Sequence, residues 1–592
     1  MNKSVGMSAA DHYLGMFEGH FDPAVAVVRD GKVIAYAEEE RFLRNKHAYR
    51  IYPRRALHYC LEAAGIGPED IAAIGINWNL DAYTDGRMAA FFDEMAEAWP
   101  LDPATKGWQR AMLGGFNRQA YEARHAREWR RSFGDSPLPP IVGLPHHFTH
   151  ALQSYLQSPF EEAVCLTIDG SGDEHCTVVW RCEGDVIEPM REIRMPHSLG
   201  WFYAAFTEYL GFEAYDGEYK VMGLAAYGKP DLGLSETVAK ILHPADDGIE
   251  YRLDPSFIHY GPRSWSDRFT DHLPELFGRP PRRADAPIEA WHRDLAFAVQ
   301  AALEQAVEPL TRWALKEAGT GNLCIGGGVG LNVKMNSRLQ TLAEVDRVFA
   351  HPLCSDGGAA AGAALGACWQ ASGARPEPLR SLACGPETGD AEIEAVLAGC
   401  GLAYERPDDI AEAVAEALDD GAVVGWFQGR MEAGPRALGQ RSILADPRKV
   451  EARDRVNAVI KYRENWRPFC PSILAEAAER YLVGGQDAPF MIIAFEASEA
   501  FKRAAPAVVH VDGTARVQVV HREVLPLYHR LISRFEARTG VAAVLNTSFN
   551  VKGEPIVCTI HDALRTFFST GMDVLAAGSF LVRKPKESRQ HE

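Results

Sequence analysis

The chain has 592 residues, more than one hydrophobic core supports, so two or more domains are expected. Its composition, 47% hydrophobic and 24% charged, is that of a globular protein, and no run of about 18 apolar residues predicts a membrane span. The net charge of −18 argues against a nucleic-acid partner, because nucleic acids bind basic surfaces, and it favours a small-molecule substrate.

The N-terminal segment and the cysteines bear on the cellular compartment. The first 20 residues have no apolar run behind a basic start, so no secretory signal is expected. The eleven cysteines form no CxxC pair and are typical of reduced thiols. A cytoplasmic protein is the expectation.

The first predicted elements are two strands, at residues 24–28 and 32–37. An Asp-Gly pair between two such apolar runs is typical of a β-hairpin. A helix is predicted near residues 54–64, where apolar residues recur at helical spacing, and a buried strand at residues 71–78.

A similar pattern recurs later in the chain. Residues 163–168 are apolar, residues 169–173 predict a turn, and residues 176–182 alternate as a strand. Two meanders, each introducing an α/β half, suggest a duplicated actin/hexokinase-like fold, which handles nucleotides between two lobes. Asp-Gly hairpins are common, so the repeat alone does not decide the fold.

Residues 145–152 predict the start of a helix with two histidines on one face. His146 and His150 are four residues apart, so their imidazoles can bind one divalent metal ion. Asp169 and Asp356, each where a strand meets a turn, can supply anionic ligands, and the set suits iron(II), manganese or zinc. Equally, the histidines can be a helix N-terminal pair without a metal, with the aspartates capping turns.

A glycine-rich loop at residues 326–332 is the next candidate. It follows a short apolar strand and precedes a helical segment, where backbone amides can approach a nucleotide. It is neither a Walker A sequence nor a dinucleotide fingerprint, so glycines alone are weak evidence. Asn336, just beyond the loop, predicts a ribose or base contact, or a helix cap.

Residues 373–389 contain several Gly and Pro residues without periodicity and predict a linker. The predicted domains are therefore residues 1–372 and 390–592, each large enough for its own core. The second domain has an apolar strand of its own at residues 422–427.

Basic residues cluster in the second domain, at residues 430–441 and 461–467. Arg436 and Arg467 have apolar or aromatic neighbours, which is typical of phosphate-binding guanidinium groups rather than of a solvated surface. Residues 545–550 follow a predicted strand and offer amide and hydroxyl groups for phosphate or a carbamoyl amide, or else form a strand-terminal turn.

Eight motifs occur in a fixed order and together resemble the nodulation-type O-carbamoyltransferase family over nearly the whole chain. They lie at residues 37–42, 146–151, 169–172, 327–332, 355–356, 434–439, 466–469 and 546–550. Each motif is modest alone, but eight in order are hard to obtain by chance.

The resemblance implies an α/β protein with a duplicated actin/hexokinase-like (ASKHA) N-terminal domain and a YrdC-like α/β C-terminal domain. In the second domain, carbamoyl phosphate loses phosphate, and the carbamate attacks the α-phosphate of ATP, with its Mg²⁺, to give carbamoyladenylate and pyrophosphate. In the first, a hydroxyl group of a small-molecule acceptor, such as an antibiotic or another secondary metabolite, attacks the carbamoyl carbon. Adenylation is needed because a carbamate is a poor electrophile.

The resemblance also implies site residues, with His146, Asp169, Arg436 and Arg467 in catalytic roles. The iron(II) ligands match His146, His150, Asp169 and Asp356. ATP or the adenylate is assigned to Lys46, Gly327, Gly328, Gly330, Asn332, Asn336, Lys461 and Arg516. Carbamoyl phosphate is assigned to Arg436, Arg467, Asn546 and Ser548.

One departure from the family lies in the first hairpin. The family usually has His followed directly by Asp or a small residue, whereas here Phe21 separates His20 from Asp22. The acceptor lies near this region in the family, so His20 and Asp22 are candidate acceptor-binding residues, and either is a candidate general base. Residues 80–134 match no known pattern and are candidates for the acceptor pocket or for a homodimer contact.

Two other functions stay open. A tRNA-modifying threonylcarbamoyl transferase shares the fold and the metal site, but the net charge disfavours an RNA surface. A non-enzymatic nucleotide-binding protein or sugar kinase relative explains the first domain only, and leaves Arg436 and Arg467 without a role.

Overall fold

The structure, a computed structural model, describes residues 12–19, 21–99, 103–265, 267–373, 375–464 and 466–584. The chain folds into two compact units, of which the first takes the chain up to Tyr36 together with Arg50–Leu379. The second takes Ala37–Tyr49 and the chain from Arg380 onward. The segment Ala37–Tyr49 thus lies in the second unit, whereas the predicted first domain contains it.

The first unit contains two five-stranded sheets and a small hairpin. The first sheet comprises β1 (His12–Phe17), β2 (Ala24–Arg29), β3 (Lys32–Glu38), β4 (Ile71–Ile76) and β5 (Ile141–Gly143). The second comprises β6 (Glu162–Gly172), β7 (His175–Glu183) and β8 (Val186–Arg194), and, after the hairpin β9 (Leu242–Pro244) and β10 (Tyr251–Leu253), β11 (Asn322–Gly326) and β12 (Arg347–Ala350).

The two sheets have the same topology. Their strand orders are β3-β2-β1-β4-β5 and β8-β7-β6-β11-β12. In each, the first two strands pair antiparallel, and the first pairs in parallel with the fourth, which pairs in parallel with the fifth. This is the duplicated actin-like arrangement, and it confirms the predicted α/β fold class.

Helices of the first unit connect and cover the strands. Their bounds are Arg54–Ala64, Leu80–Thr84, Arg87–Ala98, Pro103–Phe116, Arg118–Phe133, His146–Leu156, Leu199–Tyr209, Glu218–Ala225, Leu232–Val238, His272–Phe277, Ala290–Ala318, Val333–Gln340 and Asp356–Ser372. The last is rich in Gly and Ala and packs closely on the first sheet: a Cβ at Gly15 would lie 1.8 Å from the carbonyl oxygen of Ala360. This close approach fixes the start of the helix, and with it Asp356.

The second unit is also mixed α/β. Its strands are β13 (Ala383–Glu387), β14 (Val424–Phe427), β15 (Arg430–Glu432), β16 (Arg441–Ala445), β17 (Cys470–Leu474), β18 (Leu482–Val483), β19 (Ala494–Ala497), β20 (Thr514–Arg516), β21 (Gln518–Val520), β22 (Ala543–Ser548), β23 (Val574–Ala577) and β24 (Phe580–Arg583). The main sheet has the strand order β21-β17-β22-β16-β14-β23-β24, and the smaller sheets are β13-β15 and β18-β19-β20.

The α-helices of the second unit are Glu39–Leu43, Asp390–Gly399, Ile410–Asp419, Val450–Val456, Ala478–Tyr481, Glu499–Ala504, Pro526–Thr539 and Ile560–Phe568. A π-helical turn, Asn457–Lys461, follows the fourth of them. Across the described ranges, no helix is both long and apolar enough to cross a membrane.

Three local predictions differ from the structure. The turn predicted from Asp169 belongs instead to β6, whose pairing with β7 becomes irregular between Ile168 and Gly172. The predicted linker at residues 373–389 includes β13, which pairs with β15. β22 extends to Ser548, so Asn546 and Ser548 lie within a strand rather than after it.

Candidate metal and anion sites

Four potential metal ligands from three separate elements come together in the first unit. His146 and His150 lie one turn apart in the helix His146–Leu156, Asp169 comes from β6, and Asp356 begins the helix Asp356–Ser372. The helix predicted at residue 145 therefore forms, and it turns both histidines to the same side.

The separations of the donor atoms fit a shared ion. His146 Nε2 lies 3.1 Å from His150 Nε2 and 3.4 Å from Asp356 Oδ1. His150 Nε2 lies 3.4 Å from Asp169 Oδ2. Ligands held about 2.1 Å from one ion lie about 3.0 to 3.4 Å apart in octahedral or tetrahedral geometry. The structure thus brings together all four predicted ligands, and their role as ligands stays a prediction.

Asn77 orients the first of these histidines. Its side-chain nitrogen lies 3.2 Å from His146 Nδ1, and its buried Oδ1 has no hydrogen-bond partner within the described ranges. The two ends of an amide are interchangeable in such coordinates. With the amide turned, His146 Nδ1–H donates to Asn77 Oδ1 and the Nε2 lone pair faces the other donors, the usual arrangement of a metal-binding histidine.

Charge in the donor cluster has the sign that a cation needs. Burial lowers the pKa of His150, but hydrogen bonds and the charges of Asp169 and Asp356 outweigh it and raise that pKa to about 9. Asp169 is desolvated too, yet the two histidines hold its pKa well below the ordinary value. In the absence of a metal, a proton on His150 balances part of the carboxylate charge, and a divalent cation can replace this proton.

His147 does not belong to the donor set. It is buried, and its Nδ1 lies 3.0 Å from Thr167 Oγ1. Burial, aided by the positive charge of His146, lowers its pKa well below the ordinary value. His147 is therefore a neutral core residue behind the site.

The glycine-rich loop adjoins the same cluster. The Gly328 amide donates to Asp169 Oδ2 at 2.9 Å, and the Gly170 amide to Oδ1 at 2.7 Å. Gly327 has φ +80°, and a Cβ there would lie 2.3 Å from the carbonyl oxygen of Ile168, so the loop needs glycine at this point. A Cβ at Gly330 would lie 2.9 Å from Cys354 Sγ.

The two predicted nucleotide-binding asparagines hold this loop in place. Asn332 caps the helix Val333–Gln340 and exchanges hydrogen bonds with Gln300 at 2.9 and 3.0 Å. Asn336 is buried and donates to the carbonyl oxygen of Gly330 at 2.7 Å. Contact of these asparagines with a nucleotide stays a prediction.

Of the two candidate acceptor residues, Asp22 is half-buried with a left-handed backbone, φ 52°. A Cβ at Gly357 would lie 3.1 Å from the Asp22 carbonyl oxygen, so Asp22 adjoins the start of the helix that begins with Asp356. His20 lies outside the described residues.

A buried cationic cluster marks the second unit. Lys461 ends the π-helical turn and is only 5% exposed. Its Nζ donates to Asn550 Oδ1 at 2.6 Å and lies 3.2 Å from Ser548 Oγ. Burial and the positive charges of Arg463, Arg467 and Lys46 lower its pKa well below the ordinary value. Within the described ranges, the hydrogen bonds of this ammonium go to uncharged oxygens, so an anion would stabilise it.

Lys46 belongs to the second unit because the segment Ala37–Tyr49 packs there rather than in the first unit. It begins a short 3-10 helix, Lys46–Ala48, in the segment Ala37–Tyr49. Its charge contributes to the lowered pKa of Lys461. The two predicted ATP-site lysines, 415 residues apart in the sequence (461 − 46), therefore both belong to the second unit and lie close enough for the charge of one to act on the other.

The residues assigned to carbamoyl phosphate lie on adjacent elements. Asn546 and Ser548, two positions apart on β22, share a face of that strand. Asn546 Nδ2 donates to the carbonyl oxygen of Ala437 at 3.1 Å, directly after Arg436. Arg467 is half-buried, with Nη1 3.9 Å from Glu464.

Arg516 adjoins the same strands. It is half-buried at the end of β20, and its Nε lies 2.9 Å from Cys470 Sγ. Cys470 begins β17 and pairs with Asn546 of β22. Arg516 therefore contacts β17, the strand that pairs with the Asn546 strand β22.

Three other arginines of the basic segments have structural contacts. Arg441 is fully buried over the Phe427 ring and donates to backbone carbonyls, including that of Gln428 at 2.6 Å. Arg430 donates to the carbonyl oxygen of Cys384 at 2.6 Å. Arg463 donates to Asn457 Oδ1 at 2.6 Å. Sequence clustering alone does not separate these from Arg436 and Arg467.

Sequence reasoning assigned no role to four residues near the sites. Asn77 orients His146, and Glu38, Arg41 and Glu432 hold the loop that carries Arg436. The sequence held two signals. Asn77 is a polar residue within the predicted buried strand at residues 71–78, and Glu38 and Arg41 belong to the motif at residues 37–42.

Comparison with known proteins covers both units. Residues 12–365 match a family model described as the carbamoyltransferase N-terminus, and residues 415–584 match the carbamoyltransferase C-terminus. Nodulation protein NolNO of Sinorhizobium fredii is 37% identical, covering 95% of this chain and 79% of the relative. Nodulation protein NolO of Bradyrhizobium diazoefficiens is 40% identical, covering 76% and 80%. Component A of (R)-2-hydroxyglutaryl-CoA dehydratase from Acidaminococcus fermentans, a solved structure, is 12% identical with a TM-score of 0.32, covering 61% of this chain and all of that one.

Proposed function

Since the chain belongs to the carbamoyltransferase family and is a carbamoyltransferase, we propose that it carbamoylates a hydroxyl group of a small-molecule natural product in two steps. In the second unit, one water molecule hydrolyses carbamoyl phosphate to carbamate and phosphate. A carbamate oxygen then attacks the α-phosphate of ATP and displaces pyrophosphate, which gives carbamoyladenylate. The first unit transfers the carbamoyl group from the adenylate to the acceptor, with release of AMP.

The buried cationic cluster of the second unit is the observation that carries the proposal. An ammonium as buried as Lys461, with cationic neighbours and neutral hydrogen-bond acceptors, is unfavourable alone and favourable beside phosphate. Carbamoyl phosphate is a compact dianion of suitable charge. Arg436 and Arg467 bind its phosphate oxygens and stabilise the charge that develops as phosphate leaves.

A second feature of this unit suits the carbamoyl end of the substrate. Asn546 is 1% exposed, and its Oδ1 has no hydrogen-bond partner within the described ranges. A buried acceptor without a donor costs about 1–3 kcal/mol. The NH₂ of a carbamoyl group is a donor that removes this cost, and acetyl phosphate lacks it.

In the first unit, His146, His150, Asp169 and Asp356 would hold a divalent metal, and two imidazoles with carboxylates suit iron(II). When bound, the metal supplies a Lewis acid. The chain's own groups do the rest. The glycine-rich loop offers close backbone approach to the adenylate, and Asp22 is the candidate base for the acceptor hydroxyl.

The test is release of pyrophosphate from ATP by the purified protein with and without carbamoyl phosphate. We expect release only with carbamoyl phosphate, and loss of at least 100-fold in Arg436→Ala, because an oxyanion-stabilising group is removed. His146→Ala should still release pyrophosphate but should not carbamoylate an acceptor, since the two half-reactions use different units.

Two results would contradict the proposal. Pyrophosphate release by the wild type that is independent of carbamoyl phosphate would remove the first step. Equal loss of pyrophosphate release in Arg436→Ala and His146→Ala would contradict the assignment of the two half-reactions to different units. Arg538→Lys is a suitable control, because its guanidinium pairs with Glu412 on the neighbouring helix, Ile410–Asp419.

A further inference from the structure

We propose that Glu38, Arg41 and Glu432 are positioning residues for Arg436, and that they form a buried clamp on the loop of residues 433–440. The inference rests on the proposed role of Arg436 in binding carbamoyl phosphate. All of these residues belong to the second unit.

The first part of the clamp holds a single peptide segment from both sides. The Gly434 amide donates to Glu38 Oε1 at 2.8 Å, and Arg41 Nη2 donates to the Gly434 carbonyl oxygen at 2.7 Å. Arg41 Nε in turn donates to Glu38 Oε2 at 3.0 Å. The carboxylate and guanidinium thus close a ring around Gly434, whose φ of +85° suits glycine.

The second part of the clamp closes the loop on itself. Glu432 is 1% exposed, and its Oε1 accepts from the backbone amides of Leu438 at 2.7 Å, Arg441 at 3.1 Å and Gln440 at 3.3 Å. The Glu432 carboxylate at the start of the loop therefore accepts hydrogen bonds from three backbone amides at the end of the loop. These hydrogen bonds fix both ends of the loop, so the loop is more rigid than a surface loop without them.

Other side chains fix the carbonyls in between. Asn546 donates to the Ala437 oxygen at 3.1 Å, Gln518 to the Leu438 oxygen at 2.8 Å, and Trp426 to the Gly439 oxygen at 2.9 Å. Arg436 lies between the held Gly434 and the held Ala437. Its Cα is therefore fixed, which leaves side-chain rotation as the main freedom lost on binding.

The same N-terminal segment holds a second part of the site. Arg44 donates to the carbonyl oxygens of Pro555 at 2.7 Å and Ile556 at 2.6 Å, just after residues 546–550. Two residues later comes Lys46, which contributes charge beside Lys461. The segment Ala37–Tyr49, which contains the motif at residues 37–42, therefore acts on the anion site of the second unit, although it is about 400 residues away in the sequence.

The hydrogen-bonding needs of the Gly434 backbone explain why charged rather than apolar side chains hold this loop. Burial raises the pKa of Glu38, and the neighbouring Arg41 opposes this. The Gly434 amide needs an acceptor and its carbonyl oxygen needs a donor, and the carboxylate and the guanidinium supply one each, which apolar side chains cannot do. Removal of one partner leaves the other buried and uncompensated.

The test compares steady-state constants for carbamoyl-phosphate-dependent pyrophosphate release. Arg41→Lys keeps the charge but loses the fork that spans Glu38 and Gly434, and Glu38→Gln keeps the shape but loses the charge. Because misplacement of a binding group by about 1 Å can cost on the order of 100-fold, we expect the KM for carbamoyl phosphate to rise about 10- to 100-fold in each. The KM for ATP should change far less, as should both KM values in Arg538→Lys.

A double-mutant cycle with Arg436→Lys tests whether the effect passes through Arg436. We expect Arg41→Lys to add less than threefold to the loss in kcat/KM already caused by Arg436→Lys. Additive losses, or equal increases of both KM values, would overturn the positioning role and leave the proposed function intact. If Arg41→Lys does not fold, Glu38→Gln gives the same comparison. A wild type without carbamoyl-phosphate dependence would overturn both.

Discussion

The protonation of single ring nitrogens in His146 and His150 determines whether the donor cluster of the first unit can bind a metal. A histidine presents one lone pair to a metal only if its other ring nitrogen keeps the proton. For His146 that proton has one acceptor in the described structure, the amide of Asn77. His150 Nδ1 is buried and has no hydrogen-bond partner among the described residues, so the two histidines differ in how firmly their tautomers are set.

Asn77→Leu should weaken metal binding without removing a ligand. The side chains are similar in size, but leucine leaves His146 Nδ1 without its acceptor, and such partners contribute about 10- to 100-fold to metal affinity. Titration of the metal-free protein with iron(II) under anaerobic conditions measures the dissociation constant. Asn117→Leu is the control. The Asn117 side chain caps the helix Arg118–Phe133, a contact worth about 1 kcal/mol of stability, and donates to the carbonyl oxygens of Leu113 and Gly114, so its loss should leave the metal affinity unchanged. Wild-type affinity in Asn77→Leu would contradict the orienting role.

At the scale of elements, the glycine-rich loop and β6 are in direct contact at the donor cluster. The Gly328 amide holds Asp169, and Gly327 lets the loop lie directly on the backbone of Ile168. Loop conformation and ligand position are therefore coupled. A change to the loop should affect both folding and metal binding.

Gly327→Ala should be costly. The added Cβ meets a backbone oxygen at 2.3 Å, and the positive φ is strained for alanine, so we expect the free energy of unfolding to fall by about 1–3 kcal/mol and metal affinity to fall with it. Urea unfolding measures the first effect and metal titration the second. Gly114→Ala is the opposite control: it lies in the helix Pro103–Phe116 with open space around it, and should be neutral or slightly stabilising. Equal midpoints for the two variants would contradict the close approach.

Local patterns in the sequence predict most of the elements around these sites. The hairpin of β2 and β3, the helix Arg54–Ala64 and the helix that starts at His146 follow from turn residues and periodicity. The strand β13 was not predicted, because its partner β15 lies more than 40 residues away and its sequence contains Gly and Pro. The continuation of β6 through Asp169 likewise depends on pairing with β7, which a local pattern does not reveal.

At the scale of the molecule, the net charge of −18 does not predict the anion site of the second unit. The chain carries −18, yet the buried Lys461 lies within reach of the positive charges of the half-buried Lys46 and Arg467. The bulk charge predicts that long polyanions are not partners, which stays a prediction, and only the fold brings these cations close to one another. Arg430 and Arg441 are as basic and as close in sequence to Arg436, and they bind backbone carbonyls instead. Motif order therefore predicted the family better than basic clustering predicted the roles of single residues.

Two separate sites in two units predict two separable patterns of hydrogen exchange. Iron(II) should slow amide exchange around residues 146–150, 168–172 and 327–331, and inorganic phosphate should slow it around residues 434–440 and 546–556. At about 100 times the dissociation constant, a ligand adds about 2.7 kcal/mol to opening reactions that release it, which is about 100-fold in exchange rate. Mass spectrometry with each ligand alone makes the comparison.

Lys461→Met is the matched variant for this experiment, because methionine fills a similar volume and removes the buried charge. It should lose most of the phosphate protection and keep all of the iron protection, since Lys461 lies in the second unit and the donor cluster in the first. Phosphate protection that survives in Lys461→Met would mean that the buried cationic cluster is not the anion site. Iron protection that disappears with it would mean that the two sites do not act independently, because a substitution in one unit would then control ligand binding by residues of the other.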